Sequence, residues 1–120
     1  MTPEPRFIQG IFSFAGKGLA YPVPLEPGAV YAVPLHKTAE FIYLRAGNAS
    51  SELLSLTLTH DGAPMRLFPI GAQSSVHVPL AMVEKLASES QLEVLVCAPD
   101  GMTGALVLDI GLLEFPARST

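Results

Sequence analysis

The sequence predicts one all-β domain, an antiparallel sandwich of the jelly-roll or the immunoglobulin type, with a short helix near residues 80–87. Its 120 residues suit a single domain with its own core. Apolar and polar residues alternate with a period of two in several short segments. Turn signals rich in glycine, proline and asparagine separate these segments at the spacing that is typical of such folds.

The first half of the chain contains strand signals at residues 7–14, 30–34 and 41–45, separated by glycine-bearing turns. Between the first two of these strands, Pro22 and Pro24 stand two residues apart. Alternate residues of a strand direct their N–H groups to the same side, so both prolines remove donors from one edge. We therefore expect residues 21–25 to lie at a sheet edge, where prolines also block unwanted pairing.

The segment at residues 54–60 has the strongest strand pattern, because its leucines alternate strictly with serine and threonine. It ends at Asp61-Gly62, and the apolar segment that follows at 65–68 completes a predicted β-hairpin. A further strand is predicted at 76–78.

A second hairpin is predicted from residues 92–98 and 104–115, joined by Pro99-Asp100-Gly101. Its last strand is apolar on nearly both faces over 105–112, which suits a central strand or one covered by a partner.

One segment departs from the strand pattern. Met82, Val83 and Leu86 are apolar while Glu84 and Lys85 are charged, which predicts a helix of about two turns. Pro79 precedes it, and proline is tolerated in the first turn of a helix. Outside these elements, short flexible tails are predicted at about 1–5 and 116–120.

Charge is sparse: 15% of residues are charged and 49% are hydrophobic, whereas average domains carry about 25% charged residues. No apolar run is long enough to span a membrane. Rows of serine and threonine at 55–59 and the prolines at 21–25 account for some of the uncharged surface, and we expect a second copy of the chain to cover another part. The basic residues are scattered and the net charge is −4, which argues against nucleic-acid binding. The polar N-terminus does not resemble a signal peptide, so the expected location is the cytoplasm or an assembled particle.

No motif for catalysis, cofactor binding or metal binding is present. His36, His60 and His77 are isolated in sequence, and no serine lies in a nucleophile elbow. Cys97 lies in an apolar run and is interpreted as a packed thiol, so no disulfide is expected. Asp109 is a lone carboxylate in the most apolar strand. Either it faces solvent, it accepts hydrogen bonds from a neighbouring loop, or it pairs with an arginine across a subunit contact.

The candidate interface residues are Phe41, Tyr43, Arg45, Val107 and Asp109. If Ile42 and Leu44 face the core, the first three share the opposite face, and aromatic residues and arginine are enriched at interface centres. The alternative is that Phe41 and Tyr43 are ordinary core residues.

The leading functional hypothesis is therefore a non-enzymatic, homo-oligomeric building block of a larger assembly. The alternative is a lectin-like module that binds carbohydrate or another small ligand, on a particle or spike. A small enzyme is the third hypothesis, and it requires at least two of His36, His60, His77, Asp61 and Asp109 to share a pocket.

Overall fold

The computed structural model describes residues 2–117, except for the side chains of residues 80–84. Eight β-strands account for most of this length, as the sequence predicts. They are β1 (Glu4–Ala15), β2 (Gly18–Ala32), β3 (Lys37–Asn48), β4 (Leu54–His60), β5 (Ala63–Ile70), β6 (Ser74–Leu86), β7 (Gln91–Ala98) and β8 (Thr103–Pro116).

The strands are antiparallel and follow the order β5-β4-β7-β2-β1-β8-β3-β6. We call β1-β8-β3-β6 sheet A and β2-β7-β4-β5 sheet B. The two sheets are joined where β1 meets β2, through the single register pair Ser13 and Glu26. Eight strands in this order form two interlocked Greek keys, which is the jelly-roll arrangement. The all-β prediction is confirmed, and of its two topologies the jelly roll is the one observed.

A continuous apolar core lies between the two sheets. Every strand contributes to it, through inward residues that alternate with outward ones. The largest fully buried side chains are Phe41, Leu25, Leu44, Leu54, Leu56, Leu58, Ile70, Leu86, Leu92, Leu106, Leu108 and Ile110. The core is thus aliphatic for the most part, with Phe41 as its largest fully buried member.

The helix predicted near residues 80–87 is wrong, because residues 74–86 form strand β6. Two turns of helix are marginal without tertiary support, whereas β6 pairs with β3 from Ser74 to Leu86. The pairing is interrupted where residues 80–83 stand opposite Ile42 alone. Pro79 is tolerated because β6 is an edge strand.

The predicted hairpin between the last two strands is also wrong. Both strands form, but β7 pairs with β2 and β4 in sheet B, while β8 pairs with β1 and β3 in sheet A. The turn at Pro99-Asp100-Gly101 therefore crosses from one sheet to the other. A turn signal fixes where a strand ends, but the partner of the next strand depends on the whole topology.

Two other local predictions are confirmed. Strands β4 and β5 form the expected hairpin, in which Asp61 and Gly62 both adopt positive φ angles of 51° and 84°. Strand β2, which carries Pro22 and Pro24, lies at the edge of sheet B and meets β1 at one register pair.

The segments predicted as tails are only partly within the described region. Glu4 and Pro5 belong to β1, and Pro116 ends β8. Met1 and residues 118–120 lie outside the described residues. Among the residues that the structure describes, no helix is long and apolar enough to cross a membrane.

Candidate functional site

The outer face of sheet A, which points away from the core, brings together most of the residues that the sequence predicts as an interface. Strand register arranges this face as three transverse rows, each with one residue from β1, β8, β3 and β6. The aromatic row is Phe7, Gly111, Tyr43 and Pro79; the polar row is Gln9, Asp109, Arg45 and His77; the apolar row is Ile11, Val107, Gly47 and Ser75.

Asp109 is the centre of the polar row. Its Oδ1 accepts hydrogen bonds from Gln9 Nε2 and Tyr43 Oη, both at 3.0 Å. Its Oδ2 accepts hydrogen bonds from two nitrogens of the Arg45 guanidinium, Nη2 at 2.8 Å and Nε at 3.2 Å. The Arg45 guanidinium also lies 5.6 Å from the centre of the Tyr43 ring, and His77 meets that ring edge-on at 6.1 Å. Asp109 therefore has its hydrogen-bond partners within the chain and not across a subunit contact.

These hydrogen bonds lower the pKa of the Asp109 carboxyl group. The hydrogen bond from Gln9 is the largest cause of its lowered pKa, burial opposes the shift, and Tyr43 and Arg45 add to it. Burial and the hydrogen bond to Asp109 conversely raise the pKa of Tyr43. A carboxylate that is stabilised in its charged form in this way is a weak proton acceptor.

We expect the contribution of Asp109 to stability to depend on pH. Because the folded state has the lower pKa, the contribution is complete above the unfolded-state value, near 3.8. It is lost as the pH falls through the folded value. At neutral pH, the free energy of unfolding of the wild type should be about 1–2 kcal/mol higher than that of Asp109→Asn. Urea denaturation between pH 7 and pH 2 measures this. A difference that stays constant to pH 2 would show that the carboxylate charge is not its source.

The aromatic row corrects the prediction for Phe41. A β-bulge places Phe41 and Ile42 opposite Leu112 alone, so the inward–outward alternation shifts by one residue. Phe41 is consequently 0% exposed and belongs to the core, while Tyr43 and Arg45 point outward. The proposal that Phe41 shares a face with Tyr43 is therefore wrong, because strict alternation does not hold across the bulge.

The Tyr43 ring lies directly over Gly111 of β8. A Cβ atom at position 111 would be 2.0 Å from Tyr43 Cε2, which is far inside van der Waals contact. Gly111→Ala should displace the ring, break its hydrogen bond to Asp109 and destabilise the fold by about 1–2 kcal/mol. Thermal unfolding of Gly111→Ala measures the loss. Gly28→Ala, whose Cβ meets only an ordinary contact at 3.7 Å, is the matched control. In a Tyr43→Ala background the penalty of Gly111→Ala should disappear.

The apolar row forms the floor of an open depression. Ile11 is 71% exposed and Val107 55% exposed, while Gly47 between Val107 and Ser75 has no side chain. The depression has a volume of about 620 Å³ and continues toward the loops that carry Ala49 and Gln73. A second depression adjoins it, where Arg45, His77 and Asp109 border Val107.

Four of the five predicted interface residues thus lie together: Tyr43, Arg45, Val107 and Asp109. The histidines are distributed differently. His36 lies in a turn with a φ of 66°, and His60 lies 3.7 Å from Asp61 at the hairpin end. His77 and Asp109 line one depression, which is the arrangement that the enzyme hypothesis requires, and His77 also meets the Tyr43 ring edge-on. Among the described residues, no group of three metal-binding side chains occurs.

Asn48 is a structural residue that the sequence pattern did not single out. Its Nδ2 donates to the carbonyl oxygens of Glu52, Ile70 and Gly71 at 2.9–3.3 Å, and its Oδ1 accepts from Ser50. Asn48 is 2% exposed and links the two loops at one end of the depression. The one indication of this role in the sequence was the position of Asn48 directly after Gly47 in a predicted turn.

Glu114 is a second residue that sequence reasoning missed. It is 3% exposed, accepts a hydrogen bond from the Tyr31 hydroxyl and pairs with Arg6 Nε at 3.3 Å. Burial, followed by the bond to Glu114, raises the pKa of Tyr31. The buried carboxylate of Glu114 thus connects β8 of sheet A with Tyr31 of β2 in sheet B. The sequence did not indicate a buried position for Glu114, because acidic residues near the end of a strand are usually exposed.

Comparisons with known proteins identify the fold. No protein-family model matches the chain, and no curated protein matches it. One similar solved structure is the CBM36-1 domain of a multidomain xylanase from the hindgut metagenome of Trinervitermes trinervoides. It has a TM-score of 0.56 and 12% identity, over 98% of this chain and 100% of that domain.

Two longer chains also match, with lower TM-scores. A chain of infectious bursal disease virus, Gx strain, gives a TM-score of 0.48 at 10% identity, over 100% of this chain and 34% of its own. An exo-β-1,3-galactanase from Phanerochaete chrysosporium gives 0.42 at 12% identity, over 96% and 30% respectively. At these identities the likeness concerns the fold. The chain is thus a jelly-roll sandwich similar in architecture to a carbohydrate-binding domain.

Proposed function

We propose that this protein is a non-enzymatic jelly-roll subunit that self-assembles by burying the outer face of sheet A against a second copy of the chain. The observation that carries the proposal is the exposure of Phe7, Ile11 and Val107, at 53%, 71% and 55%, on one sheet face. Large apolar side chains that are grouped on one face mark interaction sites in soluble proteins.

Charge supports a copy of the same chain as the occupant. In the three rows of this face, Arg45 and Asp109 carry the formal charges, and they neutralise each other at 2.8 Å. A face with no net charge can dock on its own copy without like-charge repulsion, although the whole chain has a net charge of −4. Glu40 and Lys85 pair in the register beyond the aromatic row, which gives this end the polar rim that is common at interfaces.

The size of the face also supports self-assembly. The molecule measures 50 × 23 × 22 Å, so its long face is elongated. A four-stranded sheet along that length offers on the order of 800 Å² per partner, which is what a stable interface needs.

The test is the mass of the protein in solution. Sedimentation equilibrium of the wild type at micromolar concentration should give a multiple of 12.7 kDa. Ile11→Glu and Val107→Glu should each lower that mass, because they place an unpaired charge in the buried interface. Leu67→Glu is the matched control, since Leu67 is 67% exposed on β5 in sheet B. A monomeric wild type, or an equal effect of the control, would overturn the proposal.

A second candidate function is the binding of carbohydrate in the same depression. Ser74, Ser75 and Gln73 supply polar groups at its edge, next to the apolar surface of Ile11 and Val107. Gly47→Val would fill its floor, because a Cβ there meets only Val107 at 3.9 Å. A glycan array should then show ligands that bind wild type and not Gly47→Val. An array without any ligand for the wild type would exclude this candidate.

A further inference from the structure

We infer that strand β6 is a second assembly surface, whose edge over residues 74–78 pairs antiparallel with the same edge of another copy. The inference shares with the proposed function the premise that the chain self-associates, but it concerns a sheet edge and not a sheet face. A strand edge presents backbone N–H and C=O groups that a further strand can use.

The four edge strands differ in how they are protected. Strand β2 carries three prolines, Pro22, Pro24 and Pro27, and β5 carries Pro64 and Pro69. Strand β1 carries Pro5 and continues toward β2 at Ser13. Prolines remove donors and hinder pairing with another chain, so the edges of β2 and β5 are blocked. The free edge of β1 lies against β2, its neighbour in the strand order.

Strand β6 is protected over only part of its length. Beyond Val78, Pro79 and the irregular residues 80–83 interrupt the edge. Before that point, residues 74–78 contain no proline and no formal charge, and they pair regularly with β3 on the other side. Ser74, Ser75 and His77 are exposed, and Val76 and Val78 are half-buried against the core. A neutral, regular segment of five residues is therefore open to a partner strand.

The sequence of this segment favours its own copy as the partner. In an antiparallel pair centred on Val76, each residue faces the one at the mirrored position: Ser74 faces Val78, and Ser75 faces His77. This register keeps outward residues opposite outward ones and pairs a hydroxyl with an imidazole twice. It also uses all five residues and brings no charges together. Such a twofold contact is isologous, so it closes on itself.

The two surfaces are geometrically independent. Edge pairing would join two copies of sheet A into one eight-stranded sheet, whose outer faces lie side by side. Two such dimers could then stack through those faces, which gives a tetramer with three mutually perpendicular twofold axes. The depressions along β3 and β6 of both copies would meet at the seam, so each would gain lining residues from the partner.

Site-directed cross-linking tests the edge contact directly. Ser75→Cys and His77→Cys are made separately, mixed as unfolded chains in equal amounts, refolded together and oxidised mildly. Directly opposed residues have Cβ atoms about 4.5–5.5 Å apart, whereas like positions are diagonal at about 7–8 Å. The mixture should therefore give at least several-fold more disulfide-linked dimer than either variant alone. The native Cys97 is 5% exposed and does not compete.

Repeating the experiment with Ile11→Glu present in both chains separates the two proposals. If the edge contact exists, the mixture still yields the cross-linked dimer when the face is blocked. Equal cross-linking in the mixture and in the single variants, or none in any sample, overturns the edge contact. The effect of Ile11→Glu on the mass of the protein without added cysteines continues to test the face by itself.

Discussion

Replacing Phe41 with alanine is expected to lower the free energy of unfolding by about 3–5 kcal/mol, the range for large aromatic residues in cores. Phe41 is 0% exposed and is the largest of the fully buried side chains. Its removal would leave a cavity between the sheets that the neighbouring leucines could fill only in part. Urea denaturation followed by far-UV circular dichroism measures the loss.

The matched control is Tyr43→Ala, two residues away on the same strand. Tyr43 points outward and loses one hydrogen bond and its contact with Gly111, so about 1–2 kcal/mol is expected. Phe41→Ala should therefore lower the free energy of unfolding more than Tyr43→Ala does, while Tyr43→Ala should have the larger effect on self-association. The reverse ranking of stabilities would contradict the β-bulge that turns Phe41 inward.

Replacing Asn48 with aspartate is expected to have the second large effect, a loss of about 2–4 kcal/mol in unfolding free energy. The change keeps the shape of the side chain but replaces its donor by an oxygen. Three carbonyl oxygens, those of Glu52, Ile70 and Gly71, would then face a buried carboxylate. Thermal and urea denaturation at neutral pH measure the loss.

Two comparisons isolate the cause. Gln73→Glu introduces the same charge at an exposed position of the neighbouring loop and should change stability by no more than about 0.5 kcal/mol. At pH 3 the carboxyl group introduced by Asn48→Asp takes up a proton and regains one donor, so the gap between this variant and wild type should narrow. A gap that is equal at both pH values would assign the loss to packing instead of lost donation.

Local sequence patterns predicted the positions of the strands better than they predicted which strands pair with each other. The leucine alternation at 54–60 and the Asp61-Gly62 turn specified β4, β5 and their pairing, because a two-residue turn leaves the chain little choice. The longer connection at residues 99–102 did not specify a pairing, and the hairpin predicted between β7 and β8 does not form. Pairing between distant strands depends on the burial of the whole core, which no short window contains.

Irregularities in β3 and β6 account for the other errors. One extra residue at Ile42 reverses the orientation expected for Phe41. The pairing of β6 with β3 is irregular over residues 80–83, within the segment that the sequence predicted as a helix. Bulges have no dependable sequence signal, so strict alternation fails wherever one occurs. The sequence placed Tyr43 and Arg45 on one face, but that Val107 and Asp109 lie beside them follows from the pairing of β3 with β8, which no short window contains.

The pairing of β1 with β8 also has a consequence for the time at which this molecule becomes able to associate. Gln9 and Asp109, which share a hydrogen bond, are 100 positions apart. Contacts of such long range make folding slow, and during synthesis β8 leaves the ribosome after the other seven strands. Until then β1 and β3 lack their common neighbour, and no polar or apolar row exists. The outer face of sheet A is therefore completed only when β8 pairs with β1 and β3, so the order of strands along the chain delays association through this face until β8 is in place.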